Sequence, residues 1–321
     1  MGSMRDHLKE YIENSKTPSV RGLRILLEYF YATEIFEPIH KRKIKVISVF
    51  GSARSKEGTA DYRLAHELGG LLYQHGYAVV TGASRGVMQA ANHGVADAIA
   101  TELVKKKRAT SVEEARQLKT YQENLQNYSI GLKISLPFEA ENNPFLGSYS
   151  VFHYFMVRKF FFATLSSGFI ACEGGWGTRD ELFEMLTLVQ TGKSPLMPII
   201  YISSHPSHFR RDLEYTVKKH YIDPQDLRLI HIVSNAAGAV EVIRRFYRAV
   251  DRIEEPGGGK VIIYLRKEIS STIKKKVAGL VHRSGAFQQV HFESKKIVMQ
   301  GFNYSSYGHV ADVVFLLSRS V

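Results

Sequence analysis

The sequence contains very little cysteine: Cys172 is the single one among 321 residues. One cysteine cannot form a disulfide within the chain or supply a cysteine-based zinc site, which excludes a disulfide-rich secreted scaffold and a zinc finger. Glycine and proline are also modest, at 25 and 9 residues, so collagen-like and low-complexity classes are excluded. The expected location is therefore the reducing cytoplasm.

Long hydrophobic runs are absent as well. The aromatic run at 160–162 directly follows Arg158 and Lys159, and apolar stretches end well before the roughly 18 residues that a membrane helix needs. The first residues are charged and lack the apolar core and cleavage site of a signal peptide. We expect neither export nor contact with a membrane.

Positive charge is in excess, with 43 Lys and Arg against 31 Asp and Glu and a formal net charge of +12. This balance favours acidic partners such as phosphorylated small molecules, nucleic acid or an anionic surface. Residues 256–321 hold 10 Lys and Arg against 3 Asp and Glu, which suggests a separate unit with a regulatory site for an anionic nucleotide. Nucleic-acid binding is not expected, because no recognition helix or ribonucleoprotein motif accompanies the lysines at 274–276.

Short β-branched runs alternate with stretches of helical spacing through most of the chain. The spacing predicts strands at 44–50, 78–82, 131–136, 168–172, 198–202 and 229–233, and a helix at about 151–166. Such alternation implies right-handed crossovers and a parallel sheet covered on both faces. We predict an α/β domain over residues 40–253, with a doubly wound, Rossmann-like parallel sheet.

Other segments flank or interrupt this domain. Residues 1–39 predict an N-terminal helical extension, whose apolar stretch at 20–36 packs on the core or contacts a second subunit. Residues 102–127 are rich in charged and amide side chains and predict an inserted helix or helical hairpin. Residues 254–259 predict a linker to a small basic α+β module at 256–321.

The most informative stretch is the glycine-rich turn at 173–178, between a predicted strand and a predicted helix. Gly174, Gly175 and Gly177 let the backbone approach a ligand closely, and the following helix N-terminus offers unpaired N–H donors. Such a turn suits a phosphate, although a tight structural turn explains the glycines equally well. Thr178 can cap the helix or bond a phosphate oxygen.

Three acidic residues, Asp180, Glu181 and Glu184, follow in the first two turns of that predicted helix. Glu181 and Glu184 share one helix face, since they are three residues apart. Acids at a helix N-terminus also simply complement the helix dipole. A carboxylate beside a phosphate-binding turn nevertheless suits a ribose 5-phosphate, because it can bond ribose hydroxyls and stabilise positive charge at the anomeric carbon.

With these motifs the chain resembles the lonely guy family of phosphoribohydrolases, often described as lysine decarboxylase-like. The family signature Pro-Gly-Gly-x-Gly-Thr-x-x-Glu, preceded by an Arg-Lys pair, corresponds here to Glu173 through Glu181 with Arg158 and Lys159. Adjoining segments that are similar to the family are VFGSAR (49–54), TGASRGVMQAAN (81–92), SLPFE (135–139), NPF (143–145) and LTLVQTGK (186–193). The similarity covers roughly residues 44–250.

The resemblance implies hydrolysis of the N-glycosidic bond of a nucleoside 5′-monophosphate, of purine or cytokinin type, to free base and ribose 5-phosphate. It implies Arg158 and Glu181 as the catalytic pair, with Glu181 stabilising the cationic ribose or orienting water and Arg158 holding phosphate or ribose oxygens. The residues implied to bind the phosphate and the rest of the nucleotide are Gly174, Gly175, Gly177, Thr178, Ser52, Arg54, Gly82, Gly86, Met88, Lys159 and Glu184. It also implies at least a homodimer and no cofactor.

Two departures from the family pattern leave an alternative open. Glu173 stands where the family has proline, and the turn at 82–86 carries side chains where the family mostly has glycine. The alternative is a nucleotide- or cofactor-binding carrier or sensor of the same fold without hydrolase activity, since fold does not determine function.

No metal site is expected from the sequence. The 13 histidines include no HExxH motif, and His66-Glu67 lacks the second histidine because Gly70 occupies that position.

Overall fold

The computed structural model describes residues 18–136, 143–302 and 306–320. Seven strands form one sheet in the order β4-β3-β2-β1-β5-β6-β7, with every neighbouring pair parallel. The strands are β1 (Val46–Phe50), β2 (Ala78–Thr81), β3 (Ser129–Ile134), β4 (Ser148–Phe152), β5 (Ser166–Cys172), β6 (Ile199–Ile202) and β7 (Ile230–Val233). The predicted doubly wound α/β fold is confirmed.

Helices connect these strands and cover both faces of the sheet. They are α1 (Pro18–Lys41), α2 (Ala60–Gln74), α3 (Val87–Lys105), α4 (Val112–Gln117), α5 (Lys119–Tyr128), α6 (Phe155–Leu165), α7 (Trp176–Gln190), α8 (Ser207–Lys218) and α9 (Ala236–Ala249), with a 3-10 helix at Pro224–Leu229. Local capping sets where some of them begin: Asn235 Oδ1 accepts from Gly238 N at 2.8 Å at the start of α9.

Two apolar clusters lie on opposite faces of the sheet. One joins α2, α3 and α9 to the sheet and contains fully buried residues such as Leu68 and Ile99. The other joins α1, α6 and α7 and contains Phe36 and Phe162. Because helices cover both faces of the sheet, β1 and β2 are buried at every position, including the polar residues Ser48 and Thr81.

Strand β4 was not predicted. The helix predicted at about 151–166 begins only at Phe155, and Ser148–Phe152 pairs with β3 at the edge of the sheet. This strand buries Ser150 and Phe152 and exposes Tyr149 and Val151. The alternation covers so few residues that the sequence pattern cannot be distinguished from the start of a helix. Residues 1–17 of the predicted extension, and 137–139 of a family-like segment, lie outside the described residues.

The C-terminal residues form a second, antiparallel sheet in the order β10-β11-β9-β8. Its elements are β8 (Val250–Gly257), β9 (Lys260–Leu265), α10 (Ser271–Ser284), β10 (Gln289–Glu293), β11 (Lys296–Gln300) and α11 (Tyr307–Ser320). The linker predicted at 254–259 is wrong, because Glu254 pairs with Ile262 and Gly257 pairs with Lys260. The glycines there form a hairpin turn, for which Gly258 and Gly259 supply positive φ angles.

This second sheet shares an apolar cluster with the α/β domain. Val250, Ile263 and Val313 are buried in the cluster that also contains Phe246 and Leu196. Helix α9 leads directly into β8, so the chain passes from one sheet to the other without a solvent-exposed spacer.

The order of the strands predicts a ligand site at the carboxyl ends of the central strands β1 and β5. The chain winds from β1 outward to β4 and then returns to place β5 on the other side of β1. At such a switch point the loops after the two strands diverge to opposite faces and leave room for a ligand at the carboxyl ends. The turns after β1 and β5 are therefore the expected walls of a binding site.

Within the described ranges, every helix is either too short or too polar to cross a membrane.

Candidate active site

Three turns from separate parts of the chain meet at this switch point. They follow β1, β2 and β5. Ser52 N donates to Glu173 O at 3.1 Å, and Val87 N donates to Ser52 O at 3.0 Å. The structure thus brings together the three segments that the sequence analysis assigned to one nucleotide site.

The second turn passes very close to the first. Gly86 has φ +69°, and a Cβ built there would lie 2.7 Å from the carbonyl carbon of Ala53, so only glycine fits. Ala83 in the same turn also has a positive φ, at 60°, a conformation that costs an L-residue roughly 1–2 kcal/mol. The departure from the glycine-rich family pattern is accommodated by a strained backbone at this position.

The third turn, after β5, is closed on one side and open on the other. A Cβ on Gly174 would lie 2.8 Å from Thr178 Cβ and 3.0 Å from Ser52 N. At Gly175 and Gly177, no atom of the described residues lies within 4 Å of such a Cβ. The open side is formed by the first turn of α7, where N–H groups lack acceptors within the helix.

The N-cap of α7 is Gly175. Thr178 lies inside the first turn and is buried, so the capping alternative for Thr178 is wrong. Trp176 begins the helix and is 92% exposed. The sequence analysis did not single out this side chain, although it is the chain's one tryptophan.

Arg158 of α6 and Glu181 of α7 form a buried ion pair. Arg158 Nη2 donates to Glu181 Oε1 at 3.1 Å, and the two residues are only 8% and 3% exposed. Burial raises the pKa of Glu181, while the positive charges of Arg158 and Lys159 oppose that shift. Burying two charges is costly, and such pairs with shifted pKa values concentrate at functional sites.

Arg158 also faces the second turn. A Cβ on Gly82 would lie 3.6 Å from Arg158 Nη1 and 3.0 Å from Met88 Sδ, and the guanidinium lies 5.0 Å from the centre of the Phe155 ring. The Arg158–Glu181 pair therefore lies beside Gly82 and Met88, two of the residues predicted to line the nucleotide site.

Lys159 follows Arg158 on α6 but binds different carboxylates. Its Nζ is 2.9 Å from Asp180 Oδ2 and 2.8 Å from Glu184 Oε2. Burial lowers the pKa of Lys159, but the hydrogen bonds that its ammonium group donates to Glu184 and Asp180, with the nearby negative charges, outweigh burial and raise the pKa overall. Lys159 thus joins α6 to α7 and holds Glu184, while Arg158 binds Glu181.

Glu173, which replaces the family's proline, is oriented away from β1. Its carboxylate accepts a hydrogen bond from Ser203 Oγ at the end of β6, whereas its backbone carbonyl accepts from Ser52 on the β1 side. Strand β5 lies between β1 and β6. The added negative charge is therefore turned toward β6 rather than toward the first turn.

The first turn contributes Ser52 and Arg54. Ser52 Oγ accepts from Arg54 N at 3.1 Å, which shapes the turn, and the Arg54 side chain is exposed. Arg54 lies on the same edge of the sheet as the glycine turn.

A buried polar network under the second turn was missed as part of the site. Thr81 Oγ1 donates to Asn92 Oδ1 at 2.7 Å, and Asn92 Nδ2 donates to Ser129 Oγ at 2.9 Å. Asn143 Nδ2 donates to the same Asn92 oxygen at 3.0 Å. The network ties β2, α3 and β3 together. The sequence gives no clear signal of it, because α3 also carries other polar residues such as His93 and Asp97.

Cys172, at the end of β5, is fully buried. Burial raises the pKa of its thiol to about 12, so the thiolate is not populated near neutral pH.

Comparison with known proteins agrees with this geometry. Residues 85–243 match the family described as possible lysine decarboxylase, and residues 44–114 match the SLOG cluster4 family. These matches confirm the family resemblance that the sequence motifs indicated. Arg158, Glu181 and the glycine turn lie within the first match, and the turn after β1 lies within the second.

A curated relative is the bifunctional cytokinin biosynthesis protein of Fusarium pseudograminearum. It is 26% identical over 251 residues, which cover 71% of this chain and 47% of that protein. The chain therefore spans about half the length of this relative.

One solved structure that is similar to this chain is the molybdenum cofactor binding protein of Rippkaea orientalis. The two chains are 20% identical with a TM-score of 0.41, and the alignment covers 64% of this chain and 98% of that one. The molybdenum cofactor carrier protein of Chlamydomonas reinhardtii is 21% identical with a TM-score of 0.38, covering 63% of this chain and 97% of that one.

Proposed function

We propose that the protein hydrolyses the N-glycosidic bond of a nucleoside 5′-monophosphate and releases a free base and ribose 5-phosphate. The observation that carries this proposal is the buried Arg158–Glu181 pair, joined at 3.1 Å, beside an open glycine turn at the switch point of the sheet. The match to the family described as possible lysine decarboxylase, the resemblance of the motifs to the lonely guy family and the similarity to a cytokinin biosynthesis protein support the same reaction.

Each part of the site has a distinct role in this reaction. The 5′-phosphate binds at the open side of the turn formed by Gly175 and Gly177, where the helix N-terminus favours negative charge. Bond cleavage develops positive charge on the ribose, and the Glu181 carboxylate stabilises that charge or orients the attacking water. Arg158 holds phosphate or ribose oxygens and keeps Glu181 ionised despite its burial.

The reaction is tested by incubating the full chain with a panel of nucleoside 5′-monophosphates and the matching nucleosides and triphosphates. Free base is measured by chromatography. We expect release from monophosphates alone, because the turn recognises one phosphate group and the ribose must reach Glu181. Glu181→Gln and Arg158→Ala should each lower kcat by about 10²–10³-fold, as expected when a group that stabilises the transition state is removed.

A matched control is Glu214→Gln, which makes the same chemical change at an exposed position on α8 and should leave the rate unchanged. If no substrate releases base but nucleotides still bind tightly, the hydrolase proposal fails and the carrier or sensor alternative replaces it.

We also propose that the protein works as at least a homodimer. Helix α1 exposes Leu26 and Phe30, at 52% and 59%, and α6 exposes Met156 and Phe160, at 63% and 47%. The rings of Tyr29 and Phe160 are 5.5 Å apart, so these side chains form one apolar face beside the helix that carries Arg158. A second copy of the chain is the proposed occupant of this face.

A further inference from the structure

A cluster of metal-ligating side chains lies between α2 and α3, outside the catalytic pair. It consists of His66 on α2 and of His93 and Asp97 on α3, and one ligand atom from each lies within 4.8 Å of the others. His93 and Asp97 are four residues apart and therefore share one helix face. The HExxH pattern did not reveal this cluster, because the second histidine, His93, lies on α3 and not four residues after His66 on α2.

The distances within the cluster suit a small cation. Asp97 Oδ2 lies 3.0 Å from His66 Nε2 and 3.4 Å from His93 Nε2. Tetrahedral coordination with bonds of about 2.1 Å requires ligand atoms roughly 3.4 Å apart. Two imidazole nitrogens and one carboxylate oxygen are a donor set that first-row divalent metals use when a further position is left to water.

Close packing of the two helices holds the ligands in place. A Cβ on Gly94 would lie 2.8 Å from the carbonyl carbon of His66 and 2.9 Å from Gly70 N. The backbones of α2 and α3 therefore meet where His66 packs against Gly94, and Gly94 directly follows His93. Little rearrangement is needed to bring the three groups together, which lowers the cost of binding.

Neighbouring groups support each ligand from behind. The His93 ring stacks on Phe145 with centroids 3.9 Å apart, and His93 Nδ1 lies 3.4 Å from Tyr62 Oη. When Nδ1 carries the proton and donates to Tyr62, Nε2 is free to bind a metal. Arg116 Nη2 binds the other oxygen of Asp97, Oδ1, which leaves Oδ2 facing the two imidazoles.

We propose that His66, His93 and Asp97 form a binding site for one divalent first-row metal ion, with zinc as the representative ion. The side chains are 36%, 19% and 34% exposed, so an ion can enter from solvent and water can complete its coordination. The ion links α2 to α3. Gly86 is the N-cap of α3, and Met88 lies in its first turn. This proposal does not depend on the proposed hydrolysis.

Metal binding is tested on the full chain after treatment with a chelator. Zinc chloride is titrated by calorimetry, and cobalt(II) is used as a spectroscopic probe of coordination. We expect the wild-type protein to bind one zinc ion that His66→Gln loses or binds at least 10-fold more weakly. We also expect zinc to raise the Tm of the wild-type protein, since a ligand that binds only the folded state stabilises it.

The matched control is His291→Gln, which removes an exposed histidine from β10 and should bind zinc as the wild type does. Circular dichroism of His66→Gln establishes that it is folded, and Asp97→Asn provides a second loss-of-ligand variant. The proposal is overturned if the wild-type protein binds no zinc, or if folded His66→Gln and Asp97→Asn bind it with unchanged affinity and the same cobalt spectrum.

Discussion

At the scale of single residues, the site depends on a carboxylate and a guanidinium that are both removed from water. Glu181 is 3% exposed, and its charged form persists because Arg158 lies 3.1 Å away and Lys159 is nearby. Burial and charge act in opposite directions on its pKa, and burial dominates. Glu181 therefore takes up a proton at a higher pH than an exposed glutamate does.

This leads to a prediction about the pH dependence of activity. Because the pKa of Glu181 is raised above 4.5, lowering the pH protonates it sooner than an ordinary glutamate. The protonated group is neutral and cannot stabilise a cationic ribose, so kcat/KM should fall on the acid side with a midpoint above 4.5. The measurement is kcat/KM for the best monophosphate across the mildly acidic to neutral range.

Lys159→Gln provides the internal test of this explanation. Since the positive charge of Lys159 lowers the pKa of Glu181, its removal should move the acid limb to higher pH. A limb that stays in place, or moves to lower pH, would show that a different group controls the profile.

At the scale of elements, the turn between β5 and α7 has two glycines with different surroundings. Gly174 has no room for a Cβ beside Thr178 and Ser52, whereas Gly175 faces open space among the described residues. Gly174→Ala should destabilise the protein by about 1–3 kcal/mol, the usual cost of overpacking. Gly175→Ala should cost less than about 1 kcal/mol, because it only weakens a helix cap.

Urea unfolding of the two variants, followed by circular dichroism, measures the difference. Equal losses of stability would mean that the turn relaxes around Gly174, and the tight contact with the first turn would then not shape the site.

Predictability from the sequence also differs between elements. Six strands of the parallel sheet could be predicted, because each is a short apolar run bounded by turn residues. Strand β4 could not, since an edge strand of five residues exposes half of its side chains. The hairpin after β8 was mistaken for a linker because glycines mark both kinds of connection.

At the scale of the whole molecule, the apolar face of α1 and α6 predicts association. Sedimentation should give a mass at least twice the 36.3 kDa of one chain. Phe30→Asp and Met156→Asp should shift the protein toward the monomer, since each places a charge in an interface that must be dehydrated. Tyr221→Asp changes an aromatic residue that is 71% exposed elsewhere and should leave the mass unchanged.

A wild-type protein that sediments as a single chain at working concentration would refute the dimer. It would leave the exposed aromatic residues of α1 without a proposed partner.

The sequence by itself determined the α/β alternation and the glycine turn, and the family resemblance carried by its motifs implied Arg158 and Glu181 as a candidate pair. These features depend on local patterns and on short motifs, which can be read along the chain. Only the tertiary structure decided that Arg158 and Glu181 are buried together, that Lys159 binds Glu184 and that Glu173 turns toward β6. It alone placed His66 beside His93 and Asp97, because contacts between helices depend on how the chain packs rather than on spacing within one element.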